Sequence, residues 1–81
     1  MKSKSKRPFT KIRKVILAAL AEHSKNINEL SGDSKVNWRT TRNHLIYLMG
    51  MGYVKSVFNS PQVRIVEITE RAMEALALNE I

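Results

Sequence analysis

Between residues 37 and 50 this chain concentrates side chains that can address the edges of nucleic-acid bases. Stepped at 100° per residue, Arg39, Arg42 and Asn43 share a helical face with Ile46. Thr41, Leu45 and Leu48 form the opposite stripe, with His44 and Met49 on its flanks. Arginine presents a planar fork of donors that fits guanine O6 and N7, or a phosphate. Asparagine fits adenine N6 and N7, and Thr40 suits a phosphate or a thymine methyl. Asn37 is an N-cap ahead of them, its side-chain oxygen accepting from first-turn N–H groups, and the segment Gly50-Met51-Gly52 stops the helix. Taken alone, the same pattern describes any amphipathic helix with a solvated polar face. Its neighbours in the chain decide its meaning.

Several nearby residues admit two readings. Trp38 can plug the core at the start of the helix or pack against sugar and phosphate, its indole N–H donating. Ile46 lies on the polar face without a core role and can meet a thymine methyl or a partner surface. Tyr47 borders the core or a phosphate. His23 and His44 are not at metal-ligand spacing, and Glu70 and Glu74, one turn apart, lack a partner acid or nucleophile. With no cysteine, disulfides and cysteine-bound zinc are excluded. No enzyme, cofactor, metal or small-molecule substrate is expected.

The net charge of +7 is unevenly placed. Lys2, Lys4, Lys6, Arg7, Lys11, Arg13 and Lys14 put seven positive charges into the first fourteen residues, with no acid among them. From Val15 onward, seven basic residues meet seven acidic ones. The excess therefore belongs to the N-terminus, which reads as a polyanion-seeking arm on a formally neutral body. Residues 1–8 have almost nothing to bury and are expected to be a disordered basic arm, with Lys4, Lys6 and Arg7 contacting phosphates. The longest apolar run, from Val15 to Ala21, is far too short for a bilayer, and no signal peptide is evident. The expected location is cytoplasmic and nucleoid-associated.

The remaining 73 positions, 9–81, are expected to form one domain of the 81-residue chain. Ile12, Ile16, Ala19 and Leu20 recur at helical spacing, so 10–23 reads as a first helix. A short second helix from Ile27 to about Gly32 buries Ile27 and Leu30, and Ser-Gly-Asp-Ser reads as a turn. After Gly52 the period falls to two. Residues 53–58 and 63–68 are β-rich and flank the turn-forming Asn59-Ser-Pro-Gln62. Pairing Lys55 with Glu67, Val57 with Ile65 and Val54 with Ile68 sets one register for charged and apolar pairs alike. Thr69 caps a last helix whose stripe is Ala72, Met73, Leu76 and Ala77.

Helix, short helix, turn, capped helix, hairpin, helix is an order with precedent. The run Ile27-Asn-Glu-Leu30, then Val36-Asn-Trp-Arg-Thr-Thr-Arg-Asn-His-Leu45, Leu48, Gly52-Tyr-Val54, a hairpin, and Ile68-Thr-Glu-Arg-Ala72 resembles the winged helix-turn-helix DNA-binding domains. It looks most like compact MarR-, ArsR- and PadR-type regulators of prokaryotes and archaea. The resemblance implies an α+β fold of three helices, a two-stranded β-hairpin wing and a C-terminal helix. It implies that 37–50 is a recognition helix and 55–64 a wing. Lys35 stands where the turn between the second and third helices often has glycine, and the wing tip is short and uncharged.

The expected function is sequence-specific binding of double-stranded DNA by a transcriptional regulator, as a homodimer spanning two half-sites. The expected contacts are Lys4, Lys6 and Arg7 in the arm, Asn37, Trp38, Arg39, Thr40, Arg42 and Asn43 on the helix, and Gln62 and Arg64 on the wing. The alternatives are a winged-helix protein–protein module, with Ile46, Tyr47, Val57 and Ile65 in the contact, and an RNA-binding protein. The last suits the arm better than the fold, because an A-form major groove is too narrow for a helix.

Overall fold

The computed structural model describes residues 9–80, and its first element begins at the phenylalanine that follows Pro8. Helix α1 (Phe9–Glu22) lies one residue earlier at each end than expected and buries the predicted Ile12, Ile16, Ala19 and Leu20 together with Leu17, which the predicted stripe lacks. The expected arm, with Lys4, Lys6 and Arg7, lies outside the described residues.

After α1 the chain makes a two-residue strand, β1 (Lys25–Asn26), and turns at once into α2 (Ile27–Ser34). Asn26 starts that helix through a capping box. Its Oδ1 accepts from the Glu29 N–H at 2.8 Å, and Glu29 Oε1 accepts from the Asn26 N–H at 3.0 Å. Helix α2 runs two residues past the expected stop at Gly32, because Lys35 provides the exit. Lys35 has φ 60° and its N–H donates to the Ser31 carbonyl at 3.0 Å. This left-handed cap is the place that glycine occupies most cheaply.

Asn37 then caps α3 (Trp38–Gly50), its Oδ1 accepting from the Thr40 N–H at 2.7 Å. Thr41, His44, Leu45 and Leu48 are the buried back of this helix, so His44 is a core residue rather than a flank. Gly50 remains helical. The left-handed break falls at Gly52, φ 79°, where an added Cβ would come to 3.6 Å from the Arg71 side chain.

Strands β2 (Val54–Asn59) and β3 (Arg64–Ile68) form the expected antiparallel hairpin, and β1 adds to its other side in the order β1-β3-β2. The sheet is therefore three-stranded. Near the base of the hairpin the predicted pairs hold: Val54 faces Ile68, and Lys55 faces Glu67 with 3.3 Å between Nζ and Oε1. The predicted Val57–Ile65 pair does not form. Phe58 faces Ile65, because Val57 is an extra residue in β2 and makes a β-bulge.

Helix α4 (Glu70–Ala77) starts at Thr69, whose Oγ1 accepts from the Ala72 N–H at 3.3 Å and donates to the Gly52 carbonyl at 2.7 Å. One hydroxyl thus fastens α4 to the turn at the end of α3. The core gathers Ile16, Leu17 and Leu20 of α1, Leu30, Leu45 and Leu48, the inward side chains Val54, Val66 and Ile68, and Ala72.

Lys25 is the unusual member of this interior, only 7% exposed. Its ammonium reaches Asp33 Oδ2 at 2.6 Å and Glu22 Oε1 at 3.3 Å, tying the end of α1 to the end of α2. The hydrogen bond to Asp33 raises its pKa above the ordinary lysine value, against the opposite pull of burial.

Candidate nucleic-acid interface

Helical periodicity places Arg39, Arg42 and Asn43 on the outside of α3, and all three are exposed there. The back of α3 is held by the core, so these side chains sit on a rigid element rather than a loop. Thr40 is partly buried. Asn37 spends its side-chain oxygen on the cap and keeps two amide N–H donors.

Trp38 does not plug the core. It is 50% exposed and forms one wall of a groove of about 260 Å³. Arg42 stands beside it, residues 26–28 at the start of α2 form a second wall, and residues 59–64 of the hairpin turn form the third. Four of the expected contact residues, Trp38, Arg42, Gln62 and Arg64, are thereby brought to one place from two stretches 20 or more positions apart in the sequence. Arg64 Nε also donates to Asn59 Oδ1 at 3.5 Å, at the outer limit of a hydrogen bond. Asn26, Asn28 and Asn59 enter the groove walls as polar groups, although their sequence context signals only caps and a turn. Arg39 and Asn43 are not among the groove-lining residues.

A second cluster connects α1 to α3. The Arg13 guanidinium lies 3.7 Å from the Tyr47 ring centroid and 5.6 Å from that of Phe9. Its Nε–H donates to His44 Nδ1 at 3.3 Å, while Phe9 meets the His44 ring edge-on at 5.1 Å. Phe9 and Arg13 are one turn apart on α1, a spacing visible in the sequence; their meeting with His44 and Tyr47 is not.

To accept from Arg13, Nδ1 must be unprotonated, so His44 is held neutral. Burial lowers its pKa below the usual histidine value, and the Arg13 charge adds to the effect. The folded pKa then lies below that of the unfolded chain, near 6.5. Above that value neither state binds the proton. As pH falls through it, the unfolded chain takes up the proton first, and stability drops until the folded-state pKa is passed. The expected result is a melting temperature lower at pH 5.5 than at pH 7.5, with a smaller difference in His44→Gln. Calorimetry on both proteins measures it, and equal pH slopes would refute the assignment.

Among the described residues no group of three histidine, cysteine, aspartate or glutamate side chains is placed to hold a metal ion. None of their helices is long and apolar enough to cross a membrane.

No family model and no curated protein sequence matches this chain. Solved structures do. The transcriptional regulator BldR from Sulfolobus solfataricus superimposes with a TM-score of 0.76 at 24% identity, over 88% of this chain and 53% of its own. The fold is a winged helix. The zinc-responsive MarR family member ZitR of Lactococcus lactis gives a TM-score of 0.73 at 21% identity, over 96% of this chain and 54% of that one. The homodimeric winged helix-turn-helix DNA-binding domain Mb0332 from Mycobacterium bovis, a possible ArsR-family transcriptional regulator, gives 0.74 at 21% identity. There the match covers 86% of this chain and 65% of that chain. This chain thus spans about half the length of BldR and ZitR, and a larger share of the Mb0332 domain. In the winged helix, β2 and β3 are the wing, and the 260 Å³ groove separates the wing from α3.

Proposed function

We propose that this chain is a sequence-specific reader of double-stranded DNA, serving a transcriptional regulator. The observation that carries the reading is the exposed face of Arg39, Arg42 and Asn43 on a helix whose back is fixed in the core. A helix so presented fits the B-form major groove, and these three residue types match base edges there. The groove beside it is suited to the phosphodiester backbone: Arg64 supplies charge, Gln62 and the asparagines supply donors, and Trp38 supplies a flat surface for sugar. The wing then follows the flanking backbone or the adjacent minor groove.

Residues 1–8 act as the basic arm of this reader, and 9–81 as the domain that carries it. Phe9, the first residue of that domain, meets the ring of His44 on the buried back of α3. Pairing of two copies would span two half-sites. Met73 and Leu78, exposed on and just beyond α4, are apolar groups that could serve it, and Mb0332 is itself homodimeric.

The test is fluorescence anisotropy with random duplex DNA, duplex RNA and single strands across a salt series, with sedimentation velocity on the same samples. Duplex DNA is expected to bind best, as a dimer. Deleting residues 2–7 removes Lys2, Lys4, Lys6 and Arg7 and should weaken binding to every sequence. It should also reduce the slope of log affinity against log salt by up to roughly 3–4, at about 0.9 per phosphate contact. An unchanged slope would show that the arm does not hold the backbone. A monomer at high micromolar concentration would remove the dimer.

A further inference from the structure

One exposed side chain of α3 is explained neither by the core nor by hydrogen bonding. Positions 39, 43, 46 and 50 succeed each other at steps of three and four, so they form a single ridge along the helix. Arg39 and Asn43 occupy its N-terminal part. At the far end Gly50 has no side chain, and a Cβ added there would meet nothing within 4 Å. Between them stands Ile46, 49% exposed. Arg42 and Asn43 precede it on the same face, and the next apolar residue, Tyr47, has a ring face covered by Arg13. Such an isolated apolar group amid polar ones is too small for the core of a protein–protein contact.

We propose that Ile46 reads thymine through its C5-methyl group. This rests on the reading of α3 as the helix that enters the major groove. Apart from that methyl, the groups that set the base pairs apart in the major groove are hydrogen-bond donors and acceptors. An isoleucine against N7, O6 or N4 would take them from water and return nothing. Against the methyl, two apolar surfaces leave water together. Isoleucine in a helix keeps essentially one χ1 rotamer, so little freedom is lost on contact.

The spacing is suitable. A rise of about 1.5 Å per residue puts Ile46 roughly 4.5 Å beyond Asn43 and 6 Å beyond Arg42 along the axis. Base pairs are stacked at about 3.4 Å, so the thymine lies one to two steps from the bases that Arg42 and Asn43 address. The bare backbone at Gly50 lets the end of the ridge approach closely.

The experiment uses the full chain and the duplex obtained for it by site selection. Each thymine is replaced in turn by deoxyuridine, which removes the methyl and leaves every donor and acceptor in place. With the wild-type chain, one position per half-site is expected to lose about three- to fivefold in affinity, the worth of roughly one buried methyl. Ile46→Ala should bind the thymine duplex as weakly as wild type binds the uracil duplex, and should not distinguish the two. Insensitivity of the wild type at every thymine, or a penalty that persists undiminished in Ile46→Ala, overturns the assignment. Selection that yields no preferred duplex removes the reading of α3 itself, an outcome distinct from a preferred duplex that ignores the methyl.

Discussion

Replacing Arg39 and Arg42 together by alanine is expected to remove most of the discrimination between a preferred duplex and random DNA, leaving what Asn43 and Ile46 supply. A well-placed bidentate arginine–guanine contact is worth about 1–3 kcal/mol of discrimination, so two should carry on the order of a hundredfold or more. Both side chains are exposed and no core residue depends on them, so the melting temperature should hardly move. Anisotropy on the two duplexes at one salt concentration gives the ratio. If the arginines hold phosphates instead, affinity for both duplexes will fall alike, and the salt slope will drop by about one for each residue. That result would leave base reading to Asn43 and its neighbours and refute a base-reading role for the arginines.

Leu48→Ala is expected to have the largest effect on stability. Leu48 is fully buried on the back of α3, in the core cluster that also holds residues of α1 and the sheet. Truncation of a buried leucine costs about 2–5 kcal/mol, and a domain of this size has only on the order of 4–12 kcal/mol to lose. Urea denaturation followed by circular dichroism should show the midpoint falling steeply, or the chain unfolded before denaturant is added. Leu78→Ala is the control, since Leu78 is 68% exposed and its truncation should matter by no more than about 0.5 kcal/mol. A midpoint for Leu48→Ala close to that of the control would contradict the core as described.

The parts of this architecture that the sequence reveals are those governed by local rules. The face of Arg39, Arg42 and Asn43 follows from a period of 3.6, and the caps at Asn37 and Thr69 follow from which side chains can accept from free N–H groups. The left-handed Lys35 is not among them: the local signal puts the turn at Ser-Gly-Asp-Ser, and only the winged-helix resemblance marks position 35 as one where glycine is usual. What escapes is decided by partners distant in sequence. Two residues, Lys25 and Asn26, have no periodicity of their own, and only the arrival of Val66 and Ile65 makes them a strand. Lysine is ordinarily exposed, and nothing local tells that Glu22 and Asp33 will converge on Lys25. Likewise the groove beside α3 takes its walls from α2, α3 and the wing, so its asparagines read in sequence only as caps and turn formers.

The bulge at Val57 has a consequence for solitude. Strand β2 is the outer edge of the sheet, pairing with β3 alone among the described residues, and it exposes Val57 and Phe58. An edge with apolar side chains and unpaired N–H and C=O groups invites a strand from another molecule. The extra residue interrupts the even spacing that such a strand would need, and it bends and twists the edge away from flatness. The irregularity that spoils a simple cross-strand register thus makes the wing a poor template for aggregation.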